Sequence, residues 1–272
     1  LHGQDGPSAA SLAAALKHLQ SRYGASGIKL STEDAGMGFE QIAFWTGVAE
    51  GIVPVGVKIG GPNARNDIKQ LLRWNVAGLI APMVESPYGL ENFVTAVREL
   101  CPPHRFDTIR KQINIETLTA VEQLEAILSA PEAKYLDEIT LGCSDLSKSM
   151  GKRRDDPEVW ARVRKAVSRI DSQGLRVSVG GGISPEGIDR FLEIVRPPKF
   201  NTRVITFDRV PGRSYREAVI QALRFELQML QHDVAGGFLT RDEQRGRAAE
   251  LQKRLPESLS FSSRPRIHRP FP

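Results

Sequence analysis

The chain has 272 residues, a length that fits one large α/β domain, since α/β barrels often reach about 250 residues as single domains. Hydrophobic residues make up 40% and charged residues 25%, and the two cysteines form no CxxC motif, which excludes disordered, disulfide-rich and Cys-rich zinc proteins. Of the net charge of +5, residues 241–272 contribute +4, with eight Arg or Lys against four acids, which indicates a solvated basic tail. We therefore expect no nucleic-acid partner.

Apolar runs in the chain are all shorter than the roughly 18 residues that span a membrane. The early Ala-rich stretch contains Lys17 and His18 and has no basic leader, so it does not resemble a secretory signal. We expect a reduced, cytoplasmic protein with no membrane partner.

Short β-rich runs alternate with helical patterns from residue 8 to residue 208. A helix is predicted over Ser8–Tyr23, before any strand. Some of the β-rich runs are continuously apolar, as is typical of parallel strands covered on both faces. Seven strands are predicted, at Ile28–Ser31, Val55–Ile59, Gly78–Pro82, Gln112–Glu116, Glu138–Gly142, Arg176–Gly180 and Arg203–Phe207.

Repeated βα units predict a parallel sheet, which is either doubly wound or closed. We favour a (β/α)8 TIM barrel, because active groups of that fold gather where the strands end and no GxGxxG motif follows any strand. The polar groups that follow strands are Glu33, Asp34, Lys58, Glu85, Glu116, Asp145, Gly180–Gly182 and Asp208. Only seven strands are predicted, so we expect the first barrel strand to be missing, with a gap between Ile28–Ser31 and Arg203–Phe207.

The C-terminal part is predicted to be helical. Ser214–Glu217 and Thr240–Glu243 both match the capping-box pattern, which predicts helices over Tyr215–Val234 and Arg241–Leu255. We divide the chain into a catalytic barrel (1–213), a helical extension (214–256) and a basic tail (257–272).

The first C-terminal helix carries apolar residues on more than one side. Val219, Leu223 and Leu227 share one face, whereas Phe225 and Met229 lie on another, with Leu230 extending around the helix. A helix on one barrel wall buries only one stripe. We therefore predict a homo-oligomer in which a partner subunit covers the remaining side.

Two carboxylates follow consecutive strands. Glu116 lies in the string Ile113–Thr117, and Asp145 lies in Leu141–Leu146. Both side chains are expected on the same side of the barrel mouth, where two carboxylates plus waters and a chelating substrate would satisfy Mg²⁺ or Mn²⁺. The alternative is that Asp145 only caps a short helix over Leu146–Met150.

Several strings resemble the HpcH/HpaI aldolase and citrate lyase family, whose members are pyruvate- or phosphoenolpyruvate-type TIM barrels. The strings are Val57–Gly61, Ala81–Ser86, Ile115–Thr117 and Leu141–Ser147 followed by Met150–Gly151. The similarity runs from about residue 24 to residue 208. It implies that Glu116 and Asp145 hold the divalent metal, and that backbone N–H groups around Ser144 and Asp145 receive the carboxylate of a pyruvate-like substrate.

Lys58 ends the neighbouring strand and is the candidate cation that stabilises enolate charge, where aldolases of this family usually carry Arg. A Schiff-base role for Lys58 is the less favoured alternative, because Glu116 and Asp145 supply a metal route. Where the family has a Glu-His pair, this chain has Glu33-Asp34, so Asp34 or Glu33 would handle protons. The resemblance also suggests that an Asp34–Arg73 ion pair replaces the family's acid–histidine pair.

Glu85, Gly180–Gly182 and Cys143 each allow a functional or a purely structural interpretation. Glu85 either positions a substrate hydroxyl or metal-bound water, or caps the helix predicted over Pro87–Val97. Gly180–Gly182 either exposes backbone to an anion or permits a tight turn. Cys143 is interpreted as packing, because nothing nearby in the sequence would lower its pKa.

The leading functional hypothesis is a metal-dependent carbon–carbon lyase or aldolase that acts on a pyruvate-, oxaloacetate- or malate-like 2-oxo or hydroxy acid. The alternative, which the missing family histidine favours, is a binding or assembly subunit that keeps the metal pocket without catalysis.

Overall fold

The computed structural model of the protein describes residues 6–256. Eight strands form a closed barrel in which neighbours in sequence are neighbours in space. The strands are β1 (Ala25–Ser31), β2 (Val55–Lys58), β3 (Gly78–Ala81), β4 (Arg110–Ile115), β5 (Glu138–Gly142), β6 (Arg176–Gly180), β7 (Lys199–Asn201) and β8 (Ile205–Asp208). The predicted TIM barrel is confirmed.

Helices cover the outside of the barrel. They are α1 (Ala9–His18), α2 (Phe39–Ala49), α3 (Arg65–Leu71), α4 (Pro87–Leu100), α5 (Pro103–Thr108), α6 (Leu118–Glu122), α7 (Leu124–Ser129), α8 (Cys143–Ser149), α9 (Pro157–Asp171), α10 (Ile188–Val195), α11 (Arg216–Ala235) and α12 (Arg241–Arg254), with a π-helical segment at Leu19–Tyr23 and a 3₁₀ segment at Pro131–Tyr135. Among residues 6–256, no helix is both long and apolar enough to cross a membrane.

The barrel closes through a reversed strand, so the expected gap is absent. β1 to β7 run parallel, but β8 pairs antiparallel with both β7 and β1. After β7, the chain turns back at Thr202, whose N–H donates to the carbonyl of Ile205 at 2.9 Å. The predicted strand Arg203–Phe207 is therefore real but reversed, and β7 was not predicted at all.

We call the end where β1 to β7 finish the mouth, and the opposite end the lower end. Because β8 runs downward, its last residue, Asp208, pairs with Lys199 at the start of β7. The prediction that Asp208 lies at the mouth is wrong for this reason.

The two C-terminal helices begin and end close to their predicted bounds. Thr240 and Glu243 form the predicted capping box at the start of α12. No capping box forms at Ser214–Glu217. There, the carboxylate of Asp189 accepts hydrogen bonds from the Ser214 hydroxyl and the Tyr215 N–H, at 2.5 and 2.7 Å.

The apolar sides of α11 are covered within the chain. Val219, Leu223 and Leu230 are buried on one face, and Phe225 and Met229 are buried on another. The helix packs against α1, α10 and α12, so more than one of its faces is used. The premise of the oligomer prediction is therefore wrong, and oligomerisation itself stays a prediction.

Helix α12 lies along the rim of the mouth. Arg247 donates to the carbonyl of Ala35, in the loop after β1, at 2.7 Å. Arg254 donates to the carbonyls of Ile183 and Thr202 at 2.6 and 2.7 Å. The helix thus joins loops on both sides of the reversed strand.

Alternate residues of each strand face the barrel interior, and many of these are polar. In the lower half, the Lys199 ammonium lies 2.6 Å from the Glu138 carboxylate. Beside this pair, Ser178 bonds to Thr140 at 2.8 Å and to Asn201 at 3.2 Å. The interior is therefore held by polar contacts, whereas apolar side chains pack between the barrel and its helices.

Candidate active site

Glu116 follows β4 and lies buried at the mouth, with 4% of its surface exposed. Its carboxylate accepts hydrogen bonds from the backbone N–H of Met83 at 3.0 Å and from the side-chain amide of Asn114 at 3.3 Å. Gly142, at the end of β5, gives Glu116 its space, because a Cβ there would lie 2.6 Å from the Glu116 Cβ. Three neighbouring strands thus fix this carboxylate.

The loop after β3 presents a backbone donor to Glu116. Met83 has φ of 52°, a left-handed conformation that is costly for a side chain of this size. The next residue, Val84, donates to the carbonyl of Asn114 at 3.2 Å, which holds the loop beside β4. Strained backbone of this kind concentrates at functional sites, and here it aims an N–H at the buried carboxylate.

Burial raises the pKa of Glu116 above its ordinary value. The Met83 hydrogen bond and the positive charges of Lys58 and Lys29 lower that pKa, whereas the negative charge of Asp145 raises it further. The Asp145 carboxylate therefore lies close enough to Glu116 to affect its ionisation.

Asp145 lies in the first turn of α8 and is 43% exposed at its side chain. The helix begins two residues earlier, at Cys143, so Asp145 is not its N-cap and the capping alternative is wrong. Its carboxylate lies 3.0 Å from the Lys148 ammonium, which is itself exposed.

On another side of the mouth, Lys58 lies between two acids. Its ammonium is 2.6 Å from the Glu33 carboxylate and 3.2 Å from that of Asp34. Burial lowers the pKa of Lys58, but Asp34, Glu33 and Glu116 more than offset this, and the pKa is raised. Burial raises the pKa of Asp34, but Lys58 and the hydrogen bond from Ser31 outweigh it and hold the pKa well below its usual range.

The second cation beside Asp34 is Arg203, not Arg73. The Arg203 guanidinium, in the β7–β8 turn, lies 3.7 Å from the Asp34 carboxylate and 3.8 Å from that of Glu226. Arg73 follows the end of α3, which descends to the lower end before β3 starts, so it cannot reach Asp34. The predicted Asp34–Arg73 pair is wrong.

Glu85 is exposed and accepts a hydrogen bond from the Thr117 hydroxyl at 2.5 Å. It does not cap α4, because the Ser86 hydroxyl does so by accepting from the N–H of Gly89 at 3.1 Å. Glu85 therefore supports the residue that follows Glu116.

The loop after β6 lies against the start of α8. Gly181 and Gly182 have φ of 94° and 60°, and a Cβ at Gly181 would lie 2.5 Å from the backbone N of Ser144. The tight-turn interpretation of these glycines is thus supported by both backbone and contacts. Cys143, behind them, is buried, which raises the pKa of its thiol to about 12. Burial therefore favours the neutral thiol, which agrees with a packing role for Cys143.

The donor set fits a hard divalent cation. Glu116 and Asp145 supply carboxylate oxygens, and the side-chain oxygen of Asn114 is buried without a hydrogen-bond donor among residues 6–256. No group of three or more His, Cys, Asp or Glu residues in that range forms a metal cage. One or two carboxylates, completed by waters and substrate, is the pattern that Mg²⁺ prefers.

Sequence reasoning missed several residues of the site. Lys29, Asn114 and Arg203 carry polar groups at the mouth, and Gly142 and Met83 shape it. Asn114 and Lys29 had a usable signal, because each lies two residues before another inward-facing position of the same strand. Arg203 had none, because its contact depends on the reversal of β8.

Fold and site together define a TIM-barrel protein with an acidic, lysine-lined mouth. Residues 39–177 match the family model described as HpcH/HpaI aldolase/citrate lyase, and the chain belongs to this family. Over 136 residues, it is 30% identical to a hydroxypyruvate/pyruvate aldolase of Pseudomonas aeruginosa, an alignment that covers 41% of this chain and 50% of that enzyme. The chain thus matches about half the length of this relative.

Two solved structures share the fold. A HpcH/HpaI aldolase/citrate lyase family protein from Burkholderia cenocepacia J2315 superposes with a TM-score of 0.55 at 15% identity, covering 68% of this chain and 80% of that one. A HpcH/HpaI aldolase from Desulfitobacterium hafniense DCB-2 gives 0.54 at 21% identity, covering 66% and 78%.

Proposed function

We propose that the protein is a metal-dependent carbon–carbon lyase or aldolase that acts on a pyruvate-, oxaloacetate- or malate-like 2-oxo or hydroxy acid. The observation that carries the proposal is the buried Glu116 carboxylate, which is held by hydrogen bonds from Met83 and Asn114 and interacts electrostatically with the Lys58 ammonium. Family membership and the similarity to a hydroxypyruvate/pyruvate aldolase support the reaction class.

Glu116 and Asp145 are the proposed ligands of Mg²⁺ or Mn²⁺, with the free oxygen of Asn114 beside them. When bound, such a cation supplies Lewis-acid stabilisation of a developing enolate oxygen. Backbone N–H groups around Ser144 and Asp145 are proposed to receive the substrate carboxylate, and Glu85 to orient a hydroxyl or water through Thr117.

Lys58 is the proposed cation that stabilises negative charge on the substrate. Because its pKa is raised, it stays protonated throughout the neutral range and offers a fixed positive charge. Glu33 and Asp34 hold it in position through contacts at 2.6 and 3.2 Å. The depressed pKa of Asp34 supports this holding role over a role in proton transfer, because an acid of low pKa stays ionised at neutral pH.

The test is exchange of the methyl protons of pyruvate with D₂O, followed by NMR with and without Mg²⁺ or Mn²⁺. An enolising enzyme shows metal-stimulated exchange. Glu116→Gln should abolish it and lower Mn²⁺ affinity by more than the roughly 10–100-fold typical of a residue that only supports a ligand. Glu91→Gln, on the exposed side of α4, is the matched control and should change neither quantity.

The second candidate function is a binding or assembly subunit that retains the pocket. The observation that favours it is Asp34, paired with two cations at the position where the family carries a histidine. Mn²⁺ binding without pyruvate exchange would support this candidate against the first.

We also propose that the protein is cytoplasmic and forms a homo-oligomer, whichever of the two functions holds. Light scattering of the full chain tests the oligomeric state, and a 30 kDa monomer would contradict the proposed oligomer.

A further inference from the structure

Lys29 is a lysine inside the barrel, on the middle of β1. It pairs in register with Gly56 of β2, two residues below the Ser31–Lys58 pair. Because strand side chains alternate, Lys29 faces the interior on the same side as Lys58. Lys29 and Gly56 both line a small cavity of about 30 Å³ in the barrel interior.

The Lys29 amine differs from the other buried lysines in having no strong partner. Lys58 contacts two acids, Lys199 contacts Glu138, and Lys111 donates to two backbone carbonyls at 2.7 Å. Among residues 6–256, no acidic group lies within 4.0 Å of the Lys29 amine and no acceptor is hydrogen-bonded to it. A half-buried amine without a partner has its lone pair or its protons available to a ligand.

Charges of both signs face Lys29. Burial and the Lys58 ammonium lower its pKa, Asp34 and Glu116 partly oppose this, and Arg203 lowers it further. Lys58, Asp34, Glu116 and Arg203 all belong to the mouth, and Glu226 of α11, which lies beside Arg203, also interacts with the Lys29 charge. The interior groups on the lower side are Arg110, Glu138 and Lys199.

The proposed reaction needs a group that both takes and returns a proton near neutral pH. Lys58 stays protonated and Asp34 stays ionised, so neither suits this task. Glu116 is already assigned to the metal. Glu226, whose pKa burial also raises, belongs to α11 and lies against Arg203. Lys29 faces the barrel interior two residues below Lys58, has no hydrogen-bonded partner among residues 6–256, and has a pKa that burial lowers.

We propose that Lys29 is the acid–base group of this site, removing a proton from C3 of the bound 2-oxo acid and returning it to the enolate. This inference rests on the proposed function. In the forward step, the amine lone pair takes the proton, the C3–H electrons form the C2–C3 double bond, and the carbonyl electrons move onto the oxygen. In the reverse step, the ammonium gives the proton back to C3 and the ketone reforms.

The experiment compares pyruvate exchange in the full chain with that of Lys29→Met and Lys29→Arg, at saturating Mg²⁺. We expect each variant to lose at least about 100-fold in rate, the usual contribution of a general base. Wild-type exchange should rise with pH as the ammonium deprotonates, and this rise should vanish in both variants. Lys17→Met, exposed on α1, is the control and should match the wild type.

Several outcomes would overturn the inference. Retention of activity in Lys29→Arg would show that only the positive charge matters. An unchanged rate and pH profile in Lys29→Met would remove Lys29 from the reaction, while wild-type exchange would leave the proposed function standing. No exchange in the wild type with either metal would instead sink the proposed function itself.

Two further measurements separate the base role of Lys29 from a covalent role and from a loss of folding. Treatment with borohydride and pyruvate should give no adduct, whereas a reduced adduct mapped to Lys29 would mean an imine and contradict the base role. If Lys29→Met does not fold, Lys29→Cys alkylated with bromoethylamine restores an amine of lower pKa. The pH-dependent rise should then return and move to lower pH, and its failure to return would count against the inference.

Discussion

The lower and upper halves of the barrel interior are both polar, but the lower half holds a network of paired groups, with the Ser26 hydroxyl as a buried exception. Below, Glu138 pairs with Lys199 at 2.6 Å, and the hydroxyls of Thr140 and Ser178 bond to each other at 2.8 Å. Above, within residues 6–256, the Asn114 oxygen has no donor and the Lys29 amine has no hydrogen-bonded partner.

The difference distinguishes polar groups that stabilise the fold from polar groups that are available to a ligand. A buried network in which each member has a partner stiffens the fold and leaves nothing for a ligand. Unsatisfied buried groups cost stability, so their presence in one region calls for a reason, and a bound ligand that completes them is the simplest one. The comparison predicts that changes below affect folding and changes above affect binding.

The largest effect on stability is expected in the lower half. Glu138→Gln should destabilise the protein by about 3–5 kcal/mol, because it leaves the Lys199 ammonium largely buried without its counter-charge. Urea unfolding measures this. The double variant Glu138→Gln/Lys199→Met should recover most of the loss, and if it does not, the ion pair is not what matters below.

Gly142→Ala tests whether the space beside Glu116 in the upper half is needed for metal binding. The added Cβ would meet the Glu116 Cβ at 2.6 Å and its carboxylate oxygen at 2.7 Å. We expect a loss of about 1–3 kcal/mol by urea unfolding, together with weaker Mn²⁺ binding, because Glu116 must move. Gly47→Ala, in α2 with nothing within 4 Å of the new Cβ, should bind Mn²⁺ normally and gain up to about 1 kcal/mol. Normal Mn²⁺ affinity in Gly142→Ala would contradict the assignment of Glu116 as a metal ligand.

The smallest effect is expected at Asp34, whose carboxylate is 41% exposed at the rim. Its folded pKa lies below the ordinary value of 3.8, so its contribution to stability is present above that value and declines as pH falls below it. Melting temperatures of wild type and Asp34→Asn should therefore differ at pH 7 and converge in acid. A constant difference from pH 7 down to pH 2 would contradict the ion-pair account.

Much of the fold was predictable because its signals are local. Runs of apolar residues and helix caps predicted most strands and both C-terminal helices, and acids after consecutive strands predicted Glu116 and Asp145 at the mouth. The reversal of β8 was not predictable in this way, because the inward–outward alternation of a strand is the same in either direction.

The rest of the site depends on contacts between distant parts of the chain. Arg203 reaches Asp34 only because β8 turns back, and Met83 reaches Glu116 only through a left-handed residue that sequence patterns do not favour. Lys29 was overlooked because it lies inside a strand rather than at its end. Assigning inward-facing positions strand by strand would have found it.

The reversed strand also changes where the chain emerges. β1 to β7 run toward the mouth and β8 runs away from it, so α11 runs back toward the mouth. α12 therefore starts at the mouth and ends with Arg254 hydrogen-bonded to the carbonyl of Ile183. The first described residues also lie toward the mouth end of the barrel, since the carbonyl of Pro7 is hydrogen-bonded to His232 in the last turns of α11. A domain fused directly at residue 6 or at residue 256 would therefore lie near the mouth. For immobilisation with the mouth toward solution, the exposed Gln173–Gly174 turn at the lower end is the better attachment point.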